Sequence, residues 1–470
     1  MSPLDSLSDL LPPAHILRAP AEVEPYAVDW LGAYRGAPVA VLRPSTTAEA
    51  AACMARCAAL GLAVVPAGGR TGLAGGATPL TEGPASVVVS LERMNRIRLL
   101  DAPGLALVAE AGCTVQAVQQ AAAAAGRLFP LSFGAQGSAA IGGAIGTNAG
   151  GIRTIRYGNT RELVLGLEVV LPDGRVLDDL RRVRKDNSGY ALRHLFIGAE
   201  GTLGLVTAAS LRLYPALARR ETALCAVDGP EQALALLARC QASGAELVAF
   251  ELIQRICLEV TLRHGANVRQ PMSLDAEWYV LVEVASPQAD APLRAALEAA
   301  LGAGVEAGEA RDVVLCESEA QRENLWTIRE TFPECARHEG PSIPTDTCVP
   351  VSAVPEFLAR VAALIARGWP EGRMVAIGHL GDGNIHLSLH APPGTTLPEW
   401  RACAAGFDAA VAAVAVELGG SFSAEHGIGQ SRLAMMRGLK DPVALDVMRA
   451  IKAALDPEGR MNPGKVLPAR

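Results

Sequence analysis

No basic run longer than residues 181–185 occurs in a chain of 470 residues that carries 42 Lys and Arg against 49 Asp and Glu. A net charge of −7 without a basic stripe lacks the electrostatic footprint of a nucleic-acid binder. Long hydrophobic runs are missing too: the most apolar stretches, 137–152 and 409–416, are glycine-rich or shorter than the ~20 residues of a membrane span. The first fifteen residues, MSPLDSLSDLLPPAH, have no basic leader, apolar run or Arg-rich presequence, so a cytoplasmic location is expected. The ten cysteines include no Cys-x-x-Cys pair. Cys53 and Cys57, four apart in an Ala-rich segment, read as one buried helix face, so reduced core thiols are expected and a disulfide framework is not. Gly-x-Gly-x-x-Gly with a following acid and Gly-x4-Gly-Lys-Ser/Thr are also absent, which counts against NAD and P-loop readings.

What remains is a globular balance, 50% hydrophobic and 19% charged, in a chain long enough for two or three packed units and a large ligand. Thr46 and Glu49 form a capping-box pattern ahead of a helix over 48–60, and Thr114 opens a similar helix ending at Gly126. Strands are expected over 62–65, 86–91 and 105–109, a hairpin around Pro172-Asp173-Gly174, and a last strand before Pro215. This alternation predicts an α+β domain over 1–215. A second α+β domain follows over 216–425, with strands at 222–227, 246–253 and 278–285, a helix over 353–367, a hairpin over 374–390 and one long helix over 400–418. Residues 426–470 form a third segment.

Three glycine-rich loops stand out in the first domain. The run 66–77, PAGGRTGLAGGA, has five glycines in twelve positions, and 137–151 and 198–204 have the same character. Glycines permit positive φ, so successive N–H groups can converge on an anion, and three such loops suit an extended ligand such as a dinucleotide.

Histidines cluster at the other end: His379, His386, His390 and His426 are four of the eight. In GHLGDGNIH, residues 378–386, Gly-Asp-Gly is a hairpin signal that brings His379 and His386 to one side, with Asp382 a turn-former. SAEHGIG, residues 423–429, adds Glu425 and His426. Two His and one carboxylate leave an open position, as in catalytic zinc sites, so His379, His386 and Glu425 are expected to hold a divalent metal, zinc in the first instance. His390, His194 and His264 read as core residues.

These motifs resemble the FAD-dependent D-2-hydroxy-acid dehydrogenases, flavoproteins of the vanillyl-alcohol-oxidase, or PCMH, type, over about residues 25–468. The resemblance implies a two-subdomain FAD-binding domain, an α+β substrate (cap) domain and a C-terminal segment returning to the flavin. It implies FAD contacts from Pro66, Gly68, Gly69, Arg70, Thr71, Gly72 and Leu73 in the first loop. Gly137, Ser138, Gly142, Gly143, Thr147, Asn148, Gly150 and Gly151 follow from the second. Tyr157, Gly158, Glu200, Gly201, Gly204, Val206 and Asn462 complete the set. Arg70 stands where this branch has Asn. No His occurs in the first loop, where several relatives attach flavin covalently, so non-covalent FAD is expected.

By the same resemblance His379, His386 and Glu425 bind metal, Asn384 and Arg329 contact substrate, and His426 is the base. The chemistry is self-consistent: a cation chelated by the hydroxyl and carboxylate lowers the hydroxyl pKa, and an imidazole of pKa near ~6.5 takes the proton as the hydride leaves for flavin. Pro333 and Pro344 stand where hydroxyglutarate enzymes have further polar contacts. The stretch 344–350, PTDTCVP, is closer to the D-lactate branch, and 156–174 to bacterial hydroxyglutarate enzymes. D-2-hydroxyglutarate is therefore expected ahead of D-lactate or a longer D-2-hydroxy acid. The implied acceptor is an electron-transfer flavoprotein or a quinone, and a homodimer is compatible. The rival classes are a metal hydrolase using the same His-His-Glu set and a catalytically silent binder.

Overall fold

The computed structural model describes residues 7–469. The first six residues of the N-terminal stretch 1–15 lie outside them. The chain forms two compact units, one of residues 7–151, 157–216 and 425–469, the other of 152–156 and 217–424.

In the first unit, β1 (Ile16–Leu17), β2 (Ala40–Leu42), β3 (Ala63–Ala67) and β4 (Ser86–Ser90) form a sheet in the order β1-β2-β4-β3. β2 and β3 both run parallel to β4. A central parallel strand is covered on both faces, which is why Val87, Val88 and Val89 are all buried in an unbroken apolar run. Helix α1 (Thr47–Ala59) connects β2 to β3. Thr46 Oγ1 accepts from Glu49 N at 3.1 Å, and Glu49 Oε2 takes Ser45 N at 2.7 Å, so the capping box closes one residue earlier than the motif predicts.

Five antiparallel strands build the second sheet of this unit: β5 (Ile97–Asp101), β6 (Ala106–Glu110), β7 (Val164–Val170), β8 (Val176–Asp179) and β9 (Leu205–Arg212), in the order β5-β6-β9-β7-β8. Helix α2 (Val115–Ala124) starts as expected, with Thr114 Oγ1 accepting from Ala117 N. The β7–β8 turn forms at Asp173 and Gly174, Asp173 Oδ1 accepting Arg175 N at 3.0 Å. Arg98 bonds Glu110 Oε1 at 3.2 Å and both oxygens of Glu168 at 3.2 and 3.1 Å. The segment after 425 joins the first sheet: Val64 N donates to Arg460 O at 2.9 Å and Asn462 N to Val64 O at 2.7 Å.

The second unit is one antiparallel sheet between two helix layers. Its strands are β10 (Arg219–Val227), β11 (Leu247–Gln254), β12 (Trp278–Ser286), β13 (Asp312–Leu315), β14 (Ser342–Pro344), β15 (Thr347–Cys348), β16 (Arg373–His379) and β17 (Asn384–His390). The order is β13-β10-β12-β11-β16-β17-β14, with β15 also on β17. Its helices are α3 (Pro230–Ala242), α4 (Arg255–His264), α5 (Leu293–Glu306), α6 (Glu319–Cys335), α7 (Val354–Gly368), α8 (Leu397–Cys403) and α9 (Phe407–Glu417). Period-two alternation splits the strand residues. Phe250, Leu252, Val282 and Leu387 pack with residues of α3, α5, α7 and α9, whereas Ile253, Leu281, Val375 and Ile377 pack with α4 and α6.

Three expectations need correction. The single helix over 400–418 is two, α8 and α9, separated at Gly406 with φ 81°. Trp400, Ala404, Phe407 and Val411 all enter the same core, so apolar spacing runs through the break and hides it. His194 and His264 are not core residues. His194 is exposed beside Arg161, and His264 ends α4 on the surface, 2.7 Å from Glu339 Oε1. His390 is buried as expected, its Nε2 bonded to Ser388 Oγ, with burial pushing its pKa down to about 4. All ten cysteines are free thiols and seven are buried; burial pushes Cys53 and Cys57 up to about 12.

Candidate active site

The hairpin β16–β17 turns through Asp382 and Gly383. Gly383 N donates to His379 O at 3.0 Å, and Asp382 Oδ1 accepts Asn384 N at 3.0 Å. Gly383, at φ 82°, lies so close to Val349 O that a Cβ would meet it at 2.0 Å, so only glycine closes this turn. The register pairs His379 with Asn384 and Ile377 with His386, and β11 pairs Glu251 with His379. Opposed residues of antiparallel strands share a face, so Glu251, His379, Asn384 and His386 all project on the side of α4 and α6.

His379 and His386 stand with ring centroids 5.3 Å apart at 84°. Glu425 follows Ala424, the last residue of the second unit, whose N–H is held by Asp346 O and Oδ2 at 3.3 and 3.2 Å. One ligand atom each from His379, His386 and Glu425 lies within 4.8 Å of the others. Two imidazoles and a carboxylate at that spacing suit zinc or another borderline divalent cation, with a position left for substrate. The buried amide of Asn384, 4% exposed, has no hydrogen-bond partner for either Oδ1 or Nδ2 among the described residues. Buried amides are normally paired, so this one is open to a ligand, an ion or water.

Two buried carboxylates that the motifs did not single out stand behind the histidines. Glu251, 0% exposed, places Oε1 2.7 Å from His379 Nδ1 and accepts Arg329 Nε on Oε2 at 2.7 Å. Burial pushes the Glu251 carboxyl up, but His379 and Arg329 outweigh it and hold the group below its ordinary range. Asp346, 1% exposed, has Oδ1 3.9 Å from His386 Nδ1. Arg329, expected to face substrate, thus commits its Nε to Glu251. Asp382 forms the turn, and burial raises its carboxyl to about 6. Pro333, in the last turn of α6, and Pro344, in β14, are both exposed.

In the first unit the first and second glycine loops touch backbone to backbone: a Cβ on Gly69 would meet Ser138 O at 2.0 Å, whereas one on Gly72 or Gly143 would meet nothing within 4 Å. Among the described residues, the backbone N–H groups from Gly69 to Leu73 meet no acceptor. A row of such donors on glycine-permitted backbone fits a pyrophosphate. Asn462 ties the first and third loops together, its Nδ2 donating to Gly76 O and Glu200 O at 2.9 and 2.7 Å, with its buried Oδ1 left without a partner. The residues present therefore fit FAD.

Other side chains expected at the cofactor have protein partners. The Arg70 guanidinium lies 4.3 Å from the Tyr26 ring centroid and 3.7 Å from Glu92. Thr147 Oγ1 bonds Gly143 O, and Asn148, at φ 52°, accepts Arg161 N. The Glu200 carboxylate accepts Ile428 N and Gly429 N at 2.7 and 2.9 Å, anchoring the segment that begins with Glu425 and His426. Tyr157 packs edge-on to Tyr214, and Val206 sits in β9 opposite Val169. The backbones of Gly137, Ser138, Gly142, Gly150, Gly151, Gly158, Gly201 and Gly204 lie in the same unit.

Comparison with solved structures sets the class. P-cresol methylhydroxylase with substrate bound superposes with a TM-score of 0.70 over 98% of this chain and 96% of its own, at 16% identity. Alkyldihydroxyacetonephosphate synthase gives 0.72 over 98% and 84%, at 14% identity. Likenesses at this identity establish an FAD-binding fold of the PCMH type. Residues 38–179 match the model described as FAD binding domain, and 217–466 that described as FAD linked oxidases, C-terminal domain. A D-2-hydroxyglutarate dehydrogenase of Xanthomonas citri pv. viticola is 38% identical over 98% of this chain and 96% of its own. The mitochondrial enzyme of that name from Bos taurus is 37% identical over 97% and 82%. The chain belongs to the FAD-linked oxidases, within them to the FAD-dependent D-2-hydroxy-acid dehydrogenases. No helix among the described residues is long and apolar enough to cross a membrane.

Proposed function

We propose that the enzyme oxidises D-2-hydroxyglutarate to 2-oxoglutarate with non-covalent FAD and a divalent metal, zinc first among candidates. The convergence of His379, His386 and Glu425 beside the unpartnered Asn384 amide carries the reading, and the relatives of that name support the substrate. Bound FAD supplies the hydride acceptor at N5, and the cation supplies a Lewis acid for the hydroxyl. His426 takes the hydroxyl proton on its ring nitrogen. Asn384 orients the substrate through its amide, and the terminal nitrogens of Arg329 take the distal carboxylate. Electrons pass on to an electron-transfer flavoprotein or a quinone; the proposed location is cytoplasmic and the proposed assembly a homodimer.

Because Arg329 Nε is already held by Glu251, only part of one guanidinium is left for a distal carboxylate. A D-2-hydroxy monocarboxylate such as D-lactate is therefore the second reading. The test is anaerobic flavin bleaching by matched D- and L-2-hydroxy acids, before and after chelation. Bleaching by D-2-hydroxyglutarate, lost on chelation and restored by zinc, is expected. Faster bleaching by D-lactate selects the second reading, and bleaching indifferent to metal removal sinks the metal.

A further inference from the structure

A metal-binding imidazole must present one particular nitrogen as a lone pair, and a neutral histidine has two tautomers to choose from. His379 has its choice made by the protein. Its Nδ1 lies 2.7 Å from Glu251 Oε1, and an ionised carboxylate can only accept, so Nδ1 carries the proton and Nε2 is left with the lone pair. Glu251 is itself fixed. Its backbone is paired with His379 across β11 and β16, its side chain is fully buried, and its other oxygen takes Arg329 Nε. Arg329 supplies the charge that keeps a carboxylate ionised at that depth. The chain Arg329–Glu251–His379 runs through residues of α6, β11 and β16, all inside the second unit.

We propose that Glu251 is a positioning residue of the metal centre: anchored by Arg329, it fixes the tautomer and ring orientation of His379 so that Nε2 is presented to the cation. The inference rests on the metal reading above. It also gives Arg329 a task independent of substrate, as counter-ion to the residue that orients a ligand. An acidic partner on the far nitrogen raises the basicity of a ligating imidazole, and its removal costs about 10- to 100-fold in metal affinity.

Removing Glu251 alone would strand the Arg329 charge in the interior, so the informative variant is Glu251→Leu/Arg329→Met. Exchanging a whole buried ion pair for apolar side chains of similar size is compatible with folding. It also leaves the net charge near the site unchanged, so any loss of affinity reports on the orientation of His379. The probe is zinc alone: full-length protein is stripped of metal, and the zinc dissociation constant is measured by competition with a chromophoric chelator. Retained FAD absorbance and circular dichroism serve as checks on the fold.

The double variant is expected to bind zinc about 10- to 100-fold more weakly than wild type. Glu251→Gln/Arg329→Met, whose amide oxygen can still accept from Nδ1 at unchanged net charge, should recover part of that loss. Wild-type affinity in the folded Leu/Met variant overturns the inference and leaves the metal reading standing. Wild-type protein that takes up no zinc overturns both. If the Leu/Met variant loses FAD or its fold, Glu251→Gln/Arg329→Met decides alone: an affinity within twofold of wild type overturns the role of the carboxylate, and a loss of fivefold or more supports it.

Discussion

Replacing Asn384 by leucine should make the substrate-free protein more stable and the enzyme worse. The side chain is 4% exposed, and neither Oδ1 nor Nδ2 has a partner among the described residues. Each buried, unsatisfied polar atom costs about 1–3 kcal/mol, and water reaching the pocket recovers part of it, so Asn384→Leu should gain about 1–2 kcal/mol in a urea unfolding experiment without substrate. The same amide, hydrogen-bonded to a charged substrate, is worth about 2–3 kcal/mol, which corresponds to a loss of roughly 30- to 150-fold in kcat/KM. Both halves must appear together. A variant destabilised by more than about 1 kcal/mol, with turnover on D-2-hydroxyglutarate within threefold of wild type, would show Asn384 to be a structural residue and refute the argument.

Other consequences follow from the same geometry. His379→Ala should lose metal, measured by elemental analysis, whereas His426→Ala should keep both metal and flavin and lose turnover; a His426→Ala enzyme near full rate removes it as the base. Acid precipitation should leave the yellow colour in the supernatant, and colour retained in the pellet would overturn dissociable FAD. Arg98→Met should cost about 2–3 kcal/mol at pH 7, because it leaves Glu168 and Glu110 buried without a shared partner. Burial raises both carboxyls, but hydrogen bonds from Arg98 to Glu168 and from Arg96 and Arg98 to Glu110 outweigh it, and both are held below their ordinary range. Their contribution is thus full above the unfolded glutamate range near ~4.3 and fades as pH falls below it, so the deficit should shrink in acid and not grow.

The features readable in the sequence are those in which a local rule and the tertiary structure agree. Thr114 caps a helix because a side-chain oxygen is needed at that backbone position whatever surrounds it. Asp382-Gly383 closes a hairpin on local grounds, and strand alternation then carries His379 and His386 to one face. Glu251 gave no such signal. It is a lone acid within the strand run Leu247–Gln254, and only the pairing of β11 with β16, 128 positions along the chain, puts it against His379. Asp346 is similar, its meaning set by the backbone of Ala424. The break at Gly406 was hidden for the opposite reason, since an apolar pattern reports which side faces the core and not whether the helix is continuous.

The return of the chain to Val64 bears on the order of folding. The second unit is almost contiguous, so it can complete its sheet as it leaves the ribosome. The first unit cannot: Arg460 donates to Ala58 O across 402 positions, and Asn462 must reach Val64 to finish the edge of the first sheet and tie two glycine loops together. At synthesis rates of about 5–20 residues per second, α1 and the first glycine loop wait roughly 20–80 s for their last partners. During that wait the first sheet keeps an open edge at β3.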